Sequence, residues 1–533
     1  MLVTIISFLS FFLLFLSSVP ADSAVFNISS GDVTGLIAAI NQANTQAGAD
    51  TINLDPGTYN LTSVDNFTNG ANGLPSITSD ITINGEDAGT TVIERDPGAP
   101  GFRIFAVAVS GKLTLNGLAV VGGGGVFPGG GILNEGSLTI NRSTIRTNGL
   151  GPDGGGIYNR TTGTLNLSHS IVIRNNAHDG AGIFNGGTAI ATHSSIIENG
   201  AVGGGAFEND GTATATIQNS TISANSADTG GGILNNGTMT VTNSTIANNF
   251  TRILLGGGIA NNGTLKITNS TISGNRAATP LNGGGGGIFN QGILELQNTI
   301  VALNTSTGQP NPAPDCFGPI TSLGNNLIGD LSGCNISLLP SDIISNPGLG
   351  AFIDDGAPGN GRFPLLGTSP AIDAGNNAAC QPTDQLDTPR NAPCDIGAIE
   401  FYPPVNNLVA LGNMSTAFDP IPVPGGPAGT FRATARFTNT SNQVIVNPFV
   451  EVVELTGGNL LLNADGGPGG VGARLTLASN SSTSFQPGAS GAFQFVIGLH
   501  RQEPFTFLVN MLGEPQISNP PVTMAEKGRS SNP

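Results

Sequence analysis

The sequence predicts an all-β protein: a right-handed parallel β-helix with an N-terminal capping helix, followed by a C-terminal antiparallel β-sandwich. A unit of about 26 residues repeats seven times over residues 129–304. Each repeat contains short alternating strands and no helical period. Glycine, which permits sharp corners between the faces of a coil, makes up 79 of the 533 residues. A right-handed wind is expected from the crossover rule for parallel strands.

Residues 1–24 are predicted to be a secretory signal peptide. The apolar run of residues 2–16 is too short for a comfortable membrane span, and small residues that suit cleavage follow it. We therefore expect a secreted, extracellular or cell-surface protein whose mature chain has no integral membrane span.

The charge balance excludes some classes of partner. The formal net charge is −17, and only 10% of the residues are charged. Nucleic acids and anionic membranes are bound by clustered cations, so neither is an expected partner. An extracellular polysaccharide or another cell-surface ligand remains as the expected partner.

Residues 25–128 are predicted to cap and open the coil. Val33, Leu36, Ile37 and Ile40 have helical spacing, and Asp32 is a suitable N-cap residue. A short amphipathic helix here would cover the first coil and block its open edge.

The seven repeats share two asparagine positions and three inward apolar positions. Identical side chains should stack from coil to coil, so that amides bond to their neighbours and to the turn backbone. We expect Asn235 to lie in the middle of such a stack, whereas Asn298 is expected to face outward and to tolerate replacement by leucine. The structural asparagine ladder is predicted at Asn134, Asn159, Asn185, Asn209, Asn235, Asn261 and Asn290.

Four cysteines follow the regular repeats, within residues 305–401. Four cysteines allow three pairings, and in an exported chain without a C-x-x-C pair a disulfide interpretation outweighs a metal site. We expect two local disulfides, Cys316 with Cys334 and Cys380 with Cys394, because both loops are short and the pairs lie in separate segments.

Parts of the chain resemble known bacterial proteins. The elements GGGI-x-N and STI-x-x-N are similar to the repeats of chlamydial polymorphic outer-membrane proteins and of pectin-lyase-like β-helix proteins. The opening GLIAAINQANTQAGADTINLDPGTYNL is similar to the start of a bacterial surface family with a Cys-Ser-Leu-Arg-Glu signature, which Thr34 to Ala38 replace here.

Residues 305–401 are predicted to close the parallel β-helix, which would extend over residues 25–401, and residues 315–401 resemble the choice-of-anchor Q domain. The similar pieces are SLGNNLIGD from Ser322, NPGLG from Asn346, SPAIDAG from Ser369, DQ at Asp384, which departs from the usual DQRG, and CDIGAIE from Cys394. These resemblances together cover about residues 25–401, and they imply the β-helix fold and export but little chemistry.

A second domain is predicted after the sharp boundary at Tyr402-Pro403-Pro404. Residues 402–515 contain short strands separated by Pro/Gly turns, a pattern typical of an antiparallel sandwich of immunoglobulin-like size. Residues 516–533 are predicted to be disordered.

Three groups of residues are candidates for chemistry. Asp153 and Asp179 hold the same offset before their glycine triplets and could form a carboxylate pair, although turn-forming aspartates are the commoner case. His169 and His193 share one repeat position, also held by Arg142, and a metal pair or two surface imidazoles could result. No cofactor is expected beyond a possible structural calcium ion. Its candidate ligands are Asp373, Asp384, Asp395 and Glu400.

The fold alone does not decide the function. The favoured hypothesis is a non-enzymatic exported surface or structural protein with adhesive properties, because the residues lack a catalytic cation constellation. The alternatives are a polysaccharide lyase or glycoside hydrolase of pectin-lyase-like type, and a carbohydrate-binding module without turnover.

Overall fold

The structure is a computed structural model that describes residues 23–516, except 126–127, 254, 279–283, 308–311, 424–425 and 478–483. Residues 1–22 of the predicted signal peptide and 517–533 of the predicted tail lie outside the described residues. Residues 25–328 form a parallel β-solenoid of about 11 turns, and antiparallel sheets follow at the C-terminus. Within the described part of the chain, no helix has the length and apolar character needed to cross a membrane.

One α-helix, Val33–Ala43, covers the first turn, as predicted. The side chain of Asp32 caps it by accepting a hydrogen bond from the Gly35 amide at 2.8 Å. Leu36, Ile40 and Ala43 are buried in the solenoid core. The helix therefore covers the apolar end of the rod.

From Phe105 onward, each turn of the solenoid contributes a strand to each of three parallel sheets. Sheet I has the longest strands, mostly of five residues, in which two inward residues alternate with outward ones. Its strands are Val25–Ile28, Ala49–Leu54, Asp80–Asn84, Lys112–Asn116, Ser137–Asn141, Thr164–Ser168, Thr188–Thr192, Thr214–Gln218, Thr238–Thr242, Thr264–Thr268 and Ile293–Gln297.

Sheet II follows sheet I after a two-residue corner in the repeats. Its short strands put one apolar residue per turn inward. These strands are Gly57–Leu61, Thr91–Arg95, Ala119–Val121, Thr144–Arg146, Ile171–Ile173, Ser195–Ile197, Thr221–Ser223, Thr245–Ala247, Thr271–Ser273, Ile300–Ala302, Leu327–Ile328 and Ile343–Ile344.

Sheet III carries the predicted asparagine ladder at the end of its strands. The strands are Phe105–Val107, Ile132–Asn134, Ile157–Asn159, Ile183–Asn185, Phe207–Asn209, Ile233–Asn235, Ile259–Asn261 and Ile288–Asn290. Cys316–Ser322 pairs with sheet III and then with sheet I, and Cys334–Ile336 pairs with Cys316–Ser322.

Short strands line the glycine-rich corner between sheets II and III. They are Gly149–Asp153, Asn176–Asp179, Ser226–Ala227, Phe250–Thr251, Arg276–Ala277 and Thr305–Ser306.

The corner between sheets I and II has a left-handed backbone conformation at one residue per turn. We call these residues the left-handed corner; their φ angles lie between 45° and 49°. Asparagine tolerates this region better than most residues because its short side chain bonds locally. The corner comprises Arg142, His169, His193, Asn219, Asn243, Asn269 and Asn298.

The chain reverses direction after the last turn and runs back over sheet II. We call residues 345–401 the strap. Its backbone and side chains bond to outward residues of successive turns: Gly359 to Ser195 at 2.9 Å, Gly361 to Thr221 at 2.8 Å, Gln385 to Thr245 at 2.6 Å and Ala398 to Thr271 at 3.1 Å. The disulfides are Cys316–Cys334 and Cys380–Cys394, so the predicted pairing is confirmed.

The strap buries Asn298, which corrects an expectation from the sequence. The side chain does point away from the solenoid core, but Asn298 is 0% exposed and bonds to the strap at Asn376. This burial argues against the expectation that leucine is tolerated there. A repeat pattern identifies the inner face of a coil but cannot show that another segment covers the outer face.

The C-terminal strands form two antiparallel sheets packed face to face. One contains Val409–Asp419, Gly429–Asn439, Leu460–Leu461 and Ser490–Leu499, and the other contains Val444–Leu455, Arg474–Thr476, Ser484–Phe485 and Phe507–Gln516. Ala435 and Phe493 from the first sheet share a core with Ile445, Val450 and Met511 from the second. A 3-10 helix, Asn406–Leu408, precedes the sandwich.

Candidate functional site

The seven predicted ladder asparagines form one continuous hydrogen-bonded row. Each Nδ2 donates to Oδ1 of the asparagine one turn further, at 2.6–2.9 Å, from Asn134 to Asn290. All seven side chains are buried. These residues therefore have a structural role, because their polar atoms are occupied by each other and by turn carbonyls.

A second asparagine row supports the opposite corner. In this row too each amide donates to the next asparagine, and the last member, Asn304, donates to Asp315 at 3.0 Å. Burial raises the pKa of Asp315 despite these hydrogen bonds. Both asparagine rows could be recognised in the sequence, because both repeat at fixed spacing.

The predicted calcium ligands hold the strap together. Asp384 accepts the amides of Leu386, Thr388 and Glu400, and Asp395 accepts those of Asp373 and Phe401. The oxygens of Asp384 and Asp395 are thus occupied by the strap backbone.

Glu400 forms a buried ion pair with Arg390 at 3.1 Å and also accepts the Asn391 and Asp395 amides. Burial raises the pKa of Glu400 to about 7. Among the described residues no group of three or more His, Cys, Asp or Glu side chains is arranged to hold a metal ion.

Asp153 and Asp179 are direct neighbours on adjacent turns, paired in parallel register. Burial and the charge of Asp179 raise the pKa of Asp153. On the other side of the pair, His178 Nδ1 lies 2.9 Å from Asp179, and this contact raises the pKa of His178.

Glu208 completes this carboxyl cluster and was missed from the sequence. It is only 8% exposed, and its Oε2 atom is buried without a hydrogen-bond partner among the described residues. A Cβ atom on Gly203 would lie 2.7 Å from Asp179 Oδ1 and 3.2 Å from Glu208 Oε2, so the two oxygens flank the same small space. Burial, followed by the charges of Asp179 and Asp153, raises the pKa of Glu208 to about 8.

A signal for Glu208 did exist in the repeat alignment. The outward row of sheet III contains apolar residues on the neighbouring turns, and Glu208 is the one acid among them. The row reads Leu133, Tyr158, Phe184, Glu208, Leu234, Ala260 and Phe289. A single carboxylate in such a row points to a special environment.

His169 and His193 form a stacked pair on the left-handed corner. Their ring centres are 4.8 Å apart and their planes differ by 6°. Ser168 Oγ lies 2.8 Å from His169 Nδ1, and the Asp387 carboxylate of the strap lies 3.1 Å from His193 Nε2. Asn219 also donates to Asp387, at 3.1 Å. Parallel register places the rings one strand spacing apart, so the repeat itself produces the stack.

The surroundings shift the pKa of two groups at this site, His169 and Asp387. Burial, His193 and Arg142 all lower the pKa of His169, so its imidazole is neutral around pH 7. The hydrogen bond from His193 lowers the pKa of Asp387.

A cavity of about 410 Å³ lies over the histidine pair, where the solenoid, the strap and the sandwich meet. The strap contributes Asn360 and Asp387 to its lining, and the sandwich contributes Asn447 and Asp465. A second cavity of about 830 Å³ adjoins it and extends along the corner towards Glu86. We call the two together the His cleft. The strap and sandwich side chains could not be assigned to it from sequence, because they come from distant segments of the chain with no periodic relation to the repeats.

No family model matches this chain, and no curated protein matches it.

Proposed function

We propose that this protein is a non-enzymatic extracellular structural or adhesion protein in which the solenoid serves as a stiff rod. The observation that carries the proposal is the strap. It bonds to five successive turns, from Ser195 to Asn298, and so braces the stacked coils along the outside of sheet II. A solenoid otherwise has only nearest-neighbour contacts between turns, and a continuous brace opposes their separation.

The sandwich is anchored to this brace through a buried ion pair. Arg362 of the strap is completely buried and lies 2.8 Å from Glu451 of the sandwich, which also pairs with Arg474 at 3.0 Å. Because the strap links both parts, force applied to the sandwich passes into the rod. This arrangement supports a role in attachment better than a role in turnover.

Location and family belong to the same proposal. The apolar N-terminal run, the two disulfides and the acidic composition support export to an oxidising, extracellular environment. The resemblance of residues 315–401 to the choice-of-anchor Q domain, together with the repeat motifs, supports membership of the bacterial β-helix surface proteins.

Incubation with a polysaccharide panel and fractionation of the producing cells test this proposal. We expect no release of unsaturated or reducing sugars, and we expect the protein in the medium or in the surface fraction. Catalytic release of sugar products, or a cytoplasmic location of the mature chain, would overturn it.

A second candidate function, glycoside hydrolysis, is favoured by one observation. Asp179 and Glu208 flank one small space, and the raised pKa of Glu208 keeps it protonated at neutral pH. A protonated acid beside a second carboxyl group is the arrangement that glycosidases use. If the panel detects sugar release, Glu208→Gln should abolish it, whereas Glu198→Gln, which changes an exposed ion pair with Arg174, should not.

A further inference from the structure

The left-handed corner is open at one end of the rod and covered at the other. The strap covers the corner from Asn219 onward, where Asn243, Asn269 and Asn298 each donate to strap carbonyls. The earlier turns, with Arg142, His169 and His193, instead line the His cleft. The corner positions under the strap have asparagine, whereas imidazole rings stand at its edge, where His193 bonds to Asp387, and one turn beyond it, at His169.

The His cleft is elongated because it follows successive turns. It extends from the turn of Glu86, past Asn116, Arg142 and His169, to His193. Five turns at the spacing of parallel strands give a length of roughly 20 Å. Its two cavities, of about 410 and 830 Å³, share His169, Pro358 and Gly466 in their linings. An extended ligand fits this shape better than a compact one.

The chemistry of the lining suits hydroxyl-rich rings. The two imidazoles stack face to face, so the pair offers ring edges rather than a flat floor, and Asn360, Asn447 and Asp465 place amide and carboxylate groups around it. Ligand sites use a small number of such fixed polar groups to orient what they bind. Planar amide, carboxylate and imidazole groups suit the hydroxyl groups of a sugar ring, which both donate and accept hydrogen bonds.

The charge of the lining selects against polyanions. Asp387 pairs with His193, and Arg474 pairs with Glu451. Among the described lining residues, the carboxyl groups of Glu86, Asp87 and Asp465 and the guanidinium of Arg142 remain outside ion pairs. The excess of acids disfavours an acidic ligand such as a polyuronate.

We propose that the His cleft binds a neutral oligosaccharide, with one sugar ring contacting the edges of the stacked rings of His169 and His193. This inference rests on the proposed adhesion function and names the class of its ligand. Asp387 acts as a positioning residue, since it holds the His193 ring from the strap side.

Isothermal titration of the full-length protein with defined hexasaccharides tests the inference. The probes are cellohexaose, mannohexaose, xylohexaose, chitohexaose and hexagalacturonate, with the peptide (Gly-Ser)5 as a non-sugar chain. We expect binding of at least one neutral hexasaccharide and none of hexagalacturonate. Failure of all neutral probes, tighter binding of hexagalacturonate, or peptide binding in the cleft would overturn the proposal.

The double variant His169→Asn/His193→Asn locates the site. Asparagine is the residue that other turns use at this corner with φ of 46° to 49°, so the variant should fold, which urea unfolding verifies. We expect roughly tenfold weaker sugar binding because the contacts of both imidazole rings are lost. The matched control His500→Asn, at an exposed position of the sandwich, should bind as the parent does. Equal binding by parent and double variant would contradict the placement.

Mass spectrometry of the recovered sugar separates this inference from the proposed function. Cleavage of a hexasaccharide that binds in the cleft would overturn the non-enzymatic proposal and leave the binding site intact. Intact sugars without binding would overturn the cleft proposal and leave the non-enzymatic role standing.

Discussion

The guanidinium group of Arg362 and the carboxylate of Glu451 meet at 2.8 Å where the strap contacts the sandwich. Arg362 is completely buried and also donates to the Gly472 carbonyl at 2.8 Å. The two arginines, Arg362 and Arg474, lower the pKa of Glu451 in spite of its burial. We expect this ion pair to decide how firmly the strap holds the sandwich.

Replacing Glu451 by glutamine should loosen the sandwich from the rod. Two guanidinium groups would then lie buried without a counter-charge, and breaking a buried pair in this way costs about 3–5 kcal/mol. We expect a lower urea midpoint and faster protease cleavage around residues 402–408. Glu503→Gln, at an exposed position of the same domain, is the control. Equal stability of the two variants would show that the ion pair does not hold the domains.

Replacing Asn235 by leucine should open the middle of the solenoid. Asn235 donates to Asn261 at 2.7 Å and accepts from Asn209 at 2.9 Å, and each buried polar group left unsatisfied costs about 1–3 kcal/mol. Proteolysis should accelerate near residues 225–260. Asn262→Leu, one residue beyond the ladder and exposed, should change little. If both variants resist protease equally, the ladder does not stabilise the stack.

Replacing Asn298 by leucine should release part of the strap. Leucine disfavours the φ of 49° found there, and the bonds to Asn376 would be lost, for a combined cost of about 2–4 kcal/mol. We expect faster proteolysis at residues 376–397. Asn298→Gly keeps the backbone conformation and should be less harmful than the leucine variant. Parent-like resistance of Asn298→Leu would contradict the burial of this corner.

Glu208 should make the stability of the protein fall as the pH rises. Burial raises its folded-state pKa to about 8 from an ordinary value of 4.5, so the folded protein holds a proton that the unfolded chain releases. The stabilisation is complete below pH 4.5 and is lost progressively as the pH rises to about 8. Its size is on the order of a few kcal/mol.

Urea unfolding at pH 5, 7 and 9 measures this effect. Because glutamine cannot ionise, Glu208→Gln should remove the corresponding part of the fall in stability. Glu198→Gln is the control, since Glu198 is an exposed partner of Arg174. An unchanged pH profile in Glu208→Gln would assign the titration to other groups.

The regular part of the fold could be predicted residue by residue. The Asn134 to Asn290 row, the inward positions typified by Ile145 and the capping helix after Asp32 all follow from periodicity within one or two turns. The local disulfides followed from short spacing. Glu208 could have been found as well, by reading the outward row of sheet III.

The His cleft could be predicted only in part. His169 and His193 share a repeat position, so their adjacency followed from the sequence. Their partner Asp387 lies 194 residues from His193 and has no periodic relation to it. The burial of Asn298 was missed for the same reason, since the strap that covers it follows no repeat.

The sequence by itself determined the stack of turns, because each repeat contacts only its neighbours and identical side chains must align in parallel register. Only the tertiary structure decided which outer surfaces are covered. The strap reverses along sheet II and meets the sandwich. Its contacts with the solenoid and with the sandwich join residues 78 to 194 positions apart in the sequence, and no local pattern predicts them. Those contacts bury Asn298 and leave His169 and His193 lining an open cleft.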